Sequence, residues 1–335
     1  MTQVIHLDPD HPEHNAIRQA AVIIRDGGLV AFPTETVYGL GADAMNESAV
    51  QRLFEAKGRP ADNPLIVHIW HRAMLDVVAA DVGTKAERLI DRFWPGPLTL
   101  VLKRKPEVAP SVSAGLPSVA VRMPANSIAI ELIKSARTPI AAPSANVSGR
   151  PSPTRAGHVL QDLDGRIDLI LDGGPTRVGI ESTVLDLTTD PPMILRPGAI
   201  TREMLAELIG KVEHSKSGEE LRRSPGTRHR HYSPNARVIL IERASPDQIE
   251  QLCRLHTQKG VTGFIGHTPI TIDHQNFKTI ILAGDSEAYA HSIYSALREL
   301  DQPGTSVIIV EGISEAGAGA AVMDRLRRAA SEFIE

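Results

Sequence analysis

The sequence lacks paired cysteines, long apolar runs and a recognisable secretory signal. Its single cysteine, Cys253, excludes an intramolecular disulfide and a cysteine-based metal cluster. No apolar run approaches the ~18 residues that a transmembrane helix needs. The N-terminal residues 1–15 carry acids instead of the basic and apolar regions of a signal peptide. These absences predict a cytoplasmic protein.

Aromatic residues and an excess of either charge are also scarce. Aromatics make up 4% of the chain, which weakens the case for a base-stacking platform. The 36 Lys and Arg residues against 40 Asp and Glu give a formal net charge of −4, so a surface that is basic throughout is excluded. A hydrophobic content of 42% and a charged content of 23% are typical of globular proteins. The length of 335 residues is sufficient for two domains.

Alternating helical and strand patterns predict a mixed α/β first domain over residues 1–210. The predicted helices cover 14–26 and 48–57. The predicted strands cover 29–35, 64–69, 98–104, 118–124, 139–145, 169–174 and 182–188.

Residues 211–235 are polar, rich in Pro, Ser and Gly, and without periodicity. We therefore predict a linker between the two domains that is too polar to be part of either core. Residues 236–335 then alternate as strand, helix, strand, strand, helix, strand and helix. This order predicts a small α/β domain with a largely parallel sheet. Ser245 and Asp285 are predicted to cap its first two helices.

The segment FPTETVYGLGADA (32–44) follows a predicted buried strand. Gly39, Gly41 and Ala44 match the spacing of a dinucleotide-binding fingerprint. That fingerprint needs its glycines directly at the strand end, whereas six residues and a proline intervene here. We therefore reject a dinucleotide site and expect the glycines to form a tight turn.

The segment EAKGRPADNPLIVH (55–68) places two cations, Lys57 and Arg59, around a glycine at a helix end. Two cations held together by a rigid turn suit a polyanion such as a triphosphate. The alternative is capping of the helix C-terminus by these side chains. Both side chains lie at a helix end and need not be part of the core. His68, within an apolar strand, is expected to be a core histidine.

The segment PIAAPSANVSGRPSPT (139–154) delivers Ser144 and Asn146 from an apolar strand into a polar loop, which predicts a cradle at a strand end. It lacks the G-x-S-x-G elbow, so Ser144 is not expected to be a hydrolase nucleophile. No Walker A motif is present.

Arg122, Ser182, Thr183 and Arg196 lie at the edges of apolar strands. Because a buried arginine needs a partner, several of them near one cavity indicate anionic ligands. Alternatively, each arginine pairs with a carboxylate such as Glu35, Asp172 or Glu181. The histidine pairs His11/His14 and His229/His231 lack matching ligands, so no protein-held metal is predicted.

Together, these segments resemble the YrdC/Sua5 family. The resemblance spans ~200 residues in one order and extends more loosely beyond the linker, where RHRHYSP precedes a part that looks like the C-terminal Sua5 domain of the long form. It implies a twisted open sheet with a deep, positively lined central cavity, followed by a small Rossmann-like α/β domain. The matching segments are PTETVYGLGADA, KGRPADNPLIVH, WPGPLTLVL, VAVRMP, PIAAPSANVSGRPSPT, GIESTVLDL and ILRPGAIT.

The resemblance implies L-threonylcarbamoyladenylate synthase activity, a nucleotidyl transfer. L-threonine, bicarbonate or CO2, and ATP with Mg²⁺ would give pyrophosphate and an adenylate that serves the t6A modification of tRNA. No organic cofactor is implied. The adenylate would pass to the tRNA threonylcarbamoyl-transfer machinery, and no membrane is involved.

The same resemblance implies roles for individual residues. Lys57, Arg59, Ser144 and Asn146 would form a catalytic tetrad. The threonine site would contain Thr36, His68, Arg122, Ala142 and Ser182. The ATP site would contain Arg59, Asn63, Ser118, Ser144, Ser152 and Arg196, with Tyr232 or Asn235 of the linker closing over it.

Two other functions fit parts of this pattern. A double-stranded RNA-binding protein could use a basic concave face, but the net charge of −4 would confine the positive charge to one cavity. A carbamoyltransferase with a related core would carry additional zinc-finger-like cysteines. The single cysteine argues against that function.

Overall fold

A computed structural model describes residues 1–215, 224 and 232–334 of the chain. The contacts divide the chain into two compact units. The first contains residues 1–148 and 153–229, and the second contains residues 149–152 and 230–335. In the described ranges, no helix combines the length and the apolar content that crossing a bilayer requires.

The first unit is built around one large mixed sheet. In the described residues this sheet has twelve strands in the order β1-β9-β2-β3-β8-β4-β7-β6-β10-β11-β12, with β5 paired to β6. The elements are β1 (Gln3–His6), α1 (His14–Arg25), β2 (Val30–Phe32), β3 (Gly39–Asp43), α2 (Glu47–Lys57), β4 (Ile66–His68), α3 (Leu75–Val78), β5 (Ala79–Ala80), α4 (Thr84–Phe93), β6 (Leu98–Arg104), β7 (Ser118–Arg122), α5 (Ser127–Ala136), β8 (Ile140–Ala141), α6 (Ala156–Leu163), β9 (Leu169–Asp172), β10 (Thr183–Asp186), β11 (Met193–Arg196), α7 (Arg202–Ile209) and β12 (Glu213–His214).

Both faces of the central strands are buried, which explains why their sequences read as apolar runs instead of alternating patterns. Helices α1 and α5 pack together on one face, where Ile17 and Leu132 belong to the same apolar cluster. Leu40 and Val67 belong to a second, larger cluster. The side chains that leave this apolar framework lie at strand ends, and they form the site described below.

The glycines of the 32–44 segment do not form the expected tight turn. Gly39 and Gly41 lie within β3, which pairs antiparallel with β2. A Cβ atom on Gly41 would come within 2.8 Å of the side chains of Phe32 and Ile140. Close approach of neighbouring side chains, and not a turn conformation, therefore requires glycine at position 41.

The second unit has a five-stranded sheet in the order β15-β14-β16-β13-β17. All its strand pairs are parallel, as predicted. The hydroxyl of Ser245 and the carboxylate of Asp285 cap α8 and α9, also as predicted. The sequence patterns did not predict β17. The elements are β13 (Arg237–Ile241), α8 (Pro246–Thr257), β14 (Val261–Gly266), β15 (Phe277–Ile281), α9 (Ser286–Leu300), β16 (Thr305–Glu311), α10 (Gly319–Ala329) and β17 (Glu332–Ile334).

The segment predicted as a linker is partly built into the two units. Val212 is buried in the first core, and β12 pairs in parallel with β11. At the other end, Tyr232 is buried within the second unit. The expectation that residues 211–235 join neither core is therefore wrong at both ends, because single apolar residues and backbone pairing suffice to anchor a polar segment.

Candidate active site

Lys57 is the last residue of α2, which ends because Gly58 takes the left-handed conformation at φ 60°. Lys57 is 1% exposed, so it is buried although its position at a helix end does not require burial. Its Nζ donates to the carbonyl oxygen of Ser144 at 2.5 Å and to that of Asn146. Lys57 thus fixes the start of the polar loop and brings a buried cation to it.

The Ser144 and Asn146 side chains form the polar cradle that the sequence predicted. The Ser144 hydroxyl donates to Oδ1 of Asn146 at 2.6 Å. The backbone between them is held by the sheet, because Ala145 N–H donates to the carbonyl oxygen of Tyr38 at 2.8 Å. The structure therefore brings Lys57, Ser144 and Asn146 together.

Arg59 is fixed within its own loop. Its Nε donates to the carbonyl oxygen of Asn63 at 3.1 Å, and its Nη2 donates to that of Pro64 at 2.8 Å. Asn63 is fully buried. These two hydrogen bonds hold the guanidinium against the backbone of the 59–64 loop, which follows the end of α2.

A second cluster surrounds Arg122 at the end of β7. Its Nε donates to the carbonyl oxygen of Gly96 at 3.0 Å, and its Nη1 donates to the hydroxyl of Thr36 at 2.9 Å. Its Nη2 pairs with the carboxylate of Glu35, and both side chains are almost fully buried. The carboxylate pairing that the sequence left open as an alternative is therefore present, and it coexists with contact to Thr36.

His68 lies beside this cluster, opposite Arg122 in the register of β4 and β7. Its Nδ1 lies 3.2 Å from the carbonyl oxygen of Ile66, so an Nδ1–H tautomer donates to that oxygen. Burial first, and the Arg122 cation second, lower the pKa of His68 to about 3. His68 is therefore neutral at physiological pH, as expected of a core histidine.

A third cluster joins β6, β10 and β11. The hydroxyls of Thr99 and Ser182 lie 2.8 Å apart. Arg196 donates from Nε to the Ser182 carbonyl oxygen and from Nη2 to the Ser182 hydroxyl, each at 3.1 Å. Ser182 and Arg196, which the resemblance assigns to different substrates, are thus hydrogen-bonded to each other.

Two further predicted residues lie in the first unit. Ala142 is buried, and its N–H donates to the carbonyl oxygen of Ile66 at 2.9 Å. Ser118 begins β7 and lines a cavity of about 750 Å³ with Lys103 and Leu187. The binding of threonine by Ala142 and of ATP by Ser118 stays a prediction.

The remaining predicted ATP-site residues belong to the second unit. Ser152 is fully buried. Tyr232 stacks on Tyr294 with 5.5 Å between ring centroids. The backbone N–H and side-chain amide of Asn235 donate to Asp301 at 2.9 and 3.0 Å. Arg228, His229, Arg230 and His231 lie outside the described residues, so a closing movement of this segment stays a prediction.

Sequence reasoning missed Thr34 and Thr99 as members of these clusters, and it named Glu35 only as one possible partner of an arginine. Thr34 and Glu35 flank Thr36 in the same motif, so their position was a usable signal. Thr99 lies in the run LTLVLKR, where a single hydroxyl residue among apolar ones carries no signal of its own.

The described residues contain no group of three or more His, Cys, Asp or Glu side chains arranged to hold a metal ion. His11 and His14 are both exposed. The side chains of the three clusters are mostly cations, hydroxyls and amides, with the Glu35 carboxylate paired to Arg122 and the neutral His68 beside them. Such groups can bind and orient anions, and they can stabilise charge that develops during a transfer between anions.

Fold and clusters together define an α/β protein whose large sheet carries clusters of buried cationic and hydroxyl side chains at its strand ends. Comparison with known proteins agrees with this description. Residues 22–198 match the family model of Sua5, YciO and YrdC, described as telomere recombination. Residues 200–331 match the model described as the C-terminal domain of threonylcarbamoyl-AMP synthase.

Full-length relatives and a solved structure support both matches. Threonylcarbamoyl-AMP synthase of Pyrococcus abyssi is 48% identical over 100% of this chain and 99% of its own length. The Bacillus subtilis enzyme of the same name is 45% identical over 94% of this chain and 92% of its own. The crystal structure of P. abyssi Sua5 complexed with L-threonine superposes with a TM-score of 0.94 at 46% identity, covering 99% of each chain. The chain therefore belongs to the threonylcarbamoyl-AMP synthase family, in its long form with a C-terminal Sua5 domain.

The buried neutral His68 makes stability depend on pH. The unfolded chain takes up a proton at this residue below pH ~6.5, whereas the folded chain does so only near pH 3. Stability should therefore fall as the pH is lowered from about 6.5 towards 3, by up to ~1.4 kcal/mol per pH unit. Melting temperatures from pH 7 to pH 4 for the wild type and His68→Gln measure this. Parallel curves for the two proteins would contradict the assignment.

Proposed function

We propose that the first unit condenses L-threonine, bicarbonate or CO2, and ATP to threonylcarbamoyl-AMP and pyrophosphate, using the three clusters as its active site. The observation that carries this proposal is the convergence of Lys57, Ser144 and Asn146 on one strand end, in a protein of this family. The threonine in the complex of the P. abyssi relative supports the same substrate for this chain.

The chemistry forms an N–C bond and an O–P bond. It breaks an N–H bond, the bond between the α- and β-phosphates and, when bicarbonate is the substrate, a C–O bond. The amine of threonine adds to the carbon of CO2, or of bicarbonate with loss of hydroxide, and releases a proton to give a carbamate. A carbamate oxygen then attacks the α-phosphorus of ATP, and pyrophosphate leaves. Nucleophile and target are both anions, so cations at their meeting point are a main requirement.

Lys57 and Arg59 meet that requirement in this proposal. The hydrogen bonds of each to loop carbonyls hold them in place, so little reorganisation is needed when substrates arrive. Ser144 and Asn146 would orient phosphate or carbamate oxygens for in-line attack. ATP would extend towards Asn63, Ser118, Ser152 and Arg196.

The threonine pocket would be formed by Thr36, Arg122 and Ser182, with His68 and Ala142 as neutral walls. Arg122 would bind the carboxylate of threonine with the one N–H that each terminal nitrogen retains beyond its contacts to Thr36 and Glu35. The contact between Ser182 and Arg196 would couple this pocket to the ATP site.

Mg²⁺ would enter as part of the ATP substrate and supply further charge neutralisation on the phosphates. The carboxylates of the described residues do not cluster to hold it, so phosphate oxygens and water would be its ligands. Exclusion of water by Tyr232, Asn235 and the segment before them would protect the carbamate. The cytoplasmic location and transfer of the product to a tRNA-modifying system are parts of this proposal.

The direct test is incubation of the full chain with ATP, Mg²⁺, bicarbonate and L-threonine, followed by mass analysis. We expect threonylcarbamoyl-AMP and pyrophosphate in equal amounts, and neither without threonine. Isotopically labelled bicarbonate should place its carbon in the adenylate. Release of pyrophosphate without a threonine-containing adenylate would contradict the proposed reaction.

A further inference from the structure

The segment Thr34–Glu35–Thr36, between β2 and β3, is held by contacts on both sides. One carboxylate oxygen of Glu35 pairs with Nη2 of Arg122, and the other accepts the N–H of Ala125 at 3.0 Å. The side chains of Glu35 and Arg122 are 4% and 3% exposed. The carboxylate therefore fixes both the guanidinium and the loop that follows β7.

The hydrogen bonds of Thr34 and Thr36 have a defined direction. A carbonyl oxygen can only accept, so the Thr34 hydroxyl donates its proton to the carbonyl oxygen of Val37 at 2.7 Å. With that proton used, the 2.8 Å contact between the two hydroxyls requires Thr36 to donate to Thr34. The Thr36 oxygen also accepts from Nη1 of Arg122 at 2.9 Å.

The donor and acceptor roles of these hydroxyls determine how Thr36 can bind a ligand. A hydroxyl has one proton and two lone pairs. The proton points to Thr34 and one lone pair accepts from Arg122, so one lone pair remains, and no described residue uses it. Towards a ligand, Thr36 is an acceptor only.

We propose that Glu35 and Thr34 are positioning residues of the amino-acid pocket. Glu35 acts through Arg122 by fixing its guanidinium, and Thr34 acts through Thr36 by turning its proton away from the ligand. Thr36 then accepts a hydrogen bond from an N–H or O–H group of the amino-acid substrate. This inference rests on the proposed function and extends it, because neither residue touches the substrate.

The test uses the full chain and the variants Glu35→Gln and Thr34→Val, which nearly preserve side-chain volume. Asp186→Asn is the control, since Asp186 is a fully buried carboxylate of the same unit that holds a turn through Thr188. For each protein, kcat, the KM values for L-threonine and ATP, the calorimetric Kd for L-threonine and the melting temperature are measured.

Glu35→Gln should raise the threonine KM and Kd by about 10- to 100-fold, as expected for loss of a charge-assisted contact. Thr34→Val should raise them by about 3- to 10-fold. The ATP KM should change less than about threefold in both. In an Arg122→Gln background, Glu35→Gln should add little, because both changes act through one guanidinium.

L-2-aminobutyrate, which lacks the hydroxyl of threonine, identifies the donor that Thr36 reads. If Thr34→Val weakens both compounds equally, the donor is the amino group. If it weakens threonine alone, the donor is the hydroxyl. Either result supports the proposal.

Unchanged threonine affinity in Glu35→Gln and Thr34→Val would overturn the proposal, even with altered melting temperatures. So would parallel rises in the threonine and ATP constants that match those of Asp186→Asn, since that pattern indicates a structural role only. Failure of the proposed function looks different, because the wild-type chain itself would then neither bind threonine nor form the adenylate.

Discussion

L-Valine should be used at least ~10⁴-fold less efficiently than L-threonine, measured as kcat/KM. Valine has the shape of threonine but carries a methyl group in place of the hydroxyl. In the proposed pocket, Thr36 and Ser182 are polar residues that are each 1% exposed. Valine would place a methyl group where the proposed pocket has hydrogen-bonding capacity left, such as the remaining lone pair of Thr36, and unpaired buried groups are costly.

L-Serine provides the matched comparison. It keeps the hydroxyl and lacks only a methyl group, so its disadvantage should be ~10- to 200-fold. Pyrophosphate release with each amino acid at saturating ATP and bicarbonate gives all three values. Comparable use of valine and threonine would show that no buried group reads the hydroxyl.

Replacing Lys57 or Arg59 with Ala should lower kcat by ~10²- to 10³-fold, since in the proposed mechanism each variant loses a preorganised cation that stabilises developing charge. The two variants should differ in stability. Lys57 is 1% exposed and holds two loop carbonyls, so Lys57→Ala should also lower the melting temperature. Arg59 is partly exposed, so Arg59→Ala should lower it less.

Lys57→Met separates the two effects, because it keeps most of the side-chain volume and removes the charge. We expect its activity to match that of Lys57→Ala. Single-turnover adenylate formation at saturating substrates measures the step directly. Rates near wild type for both Lys57→Met and Arg59→Ala would remove these cations from the mechanism.

The sequence predicted the fold class well, because the buried strands of the mixed sheet and of the parallel sheet both appear in the sequence as short apolar runs. Apolar runs bounded by Pro and Gly, such as 98–104, coincide with β6. The glycine-rich β3 was missed, since its strand conformation depends on the tight approach of Phe32 and Ile140 across the sheet. Such an approach is a property of tertiary packing, and local sequence does not contain it.

The residues of the site were predicted better than the contacts between them. Motif order identified most residues of the clusters, but not Thr34 and Thr99, and not which atoms bond to each other. That Lys57 holds the backbone of Ser144 and Asn146, or that Thr99 supports Ser182, depends on strands far apart in sequence. The burial of Lys57 at the end of α2 likewise depends on the loop at Ser144 and Asn146 that packs against it.

The short segment 149–152 has a consequence for how the chain folds as it is synthesised. Its partners lie far downstream: the Arg298 guanidinium donates to the carbonyl oxygen of Pro151, 147 residues earlier, at 3.1 Å, and Ser233 N–H donates to that of Gly149 at 2.8 Å. On the ribosome, these carbonyls emerge long before their donors, and water occupies them meanwhile. The segment 149–152 therefore completes its native hydrogen bonds only after Arg298 has been synthesised.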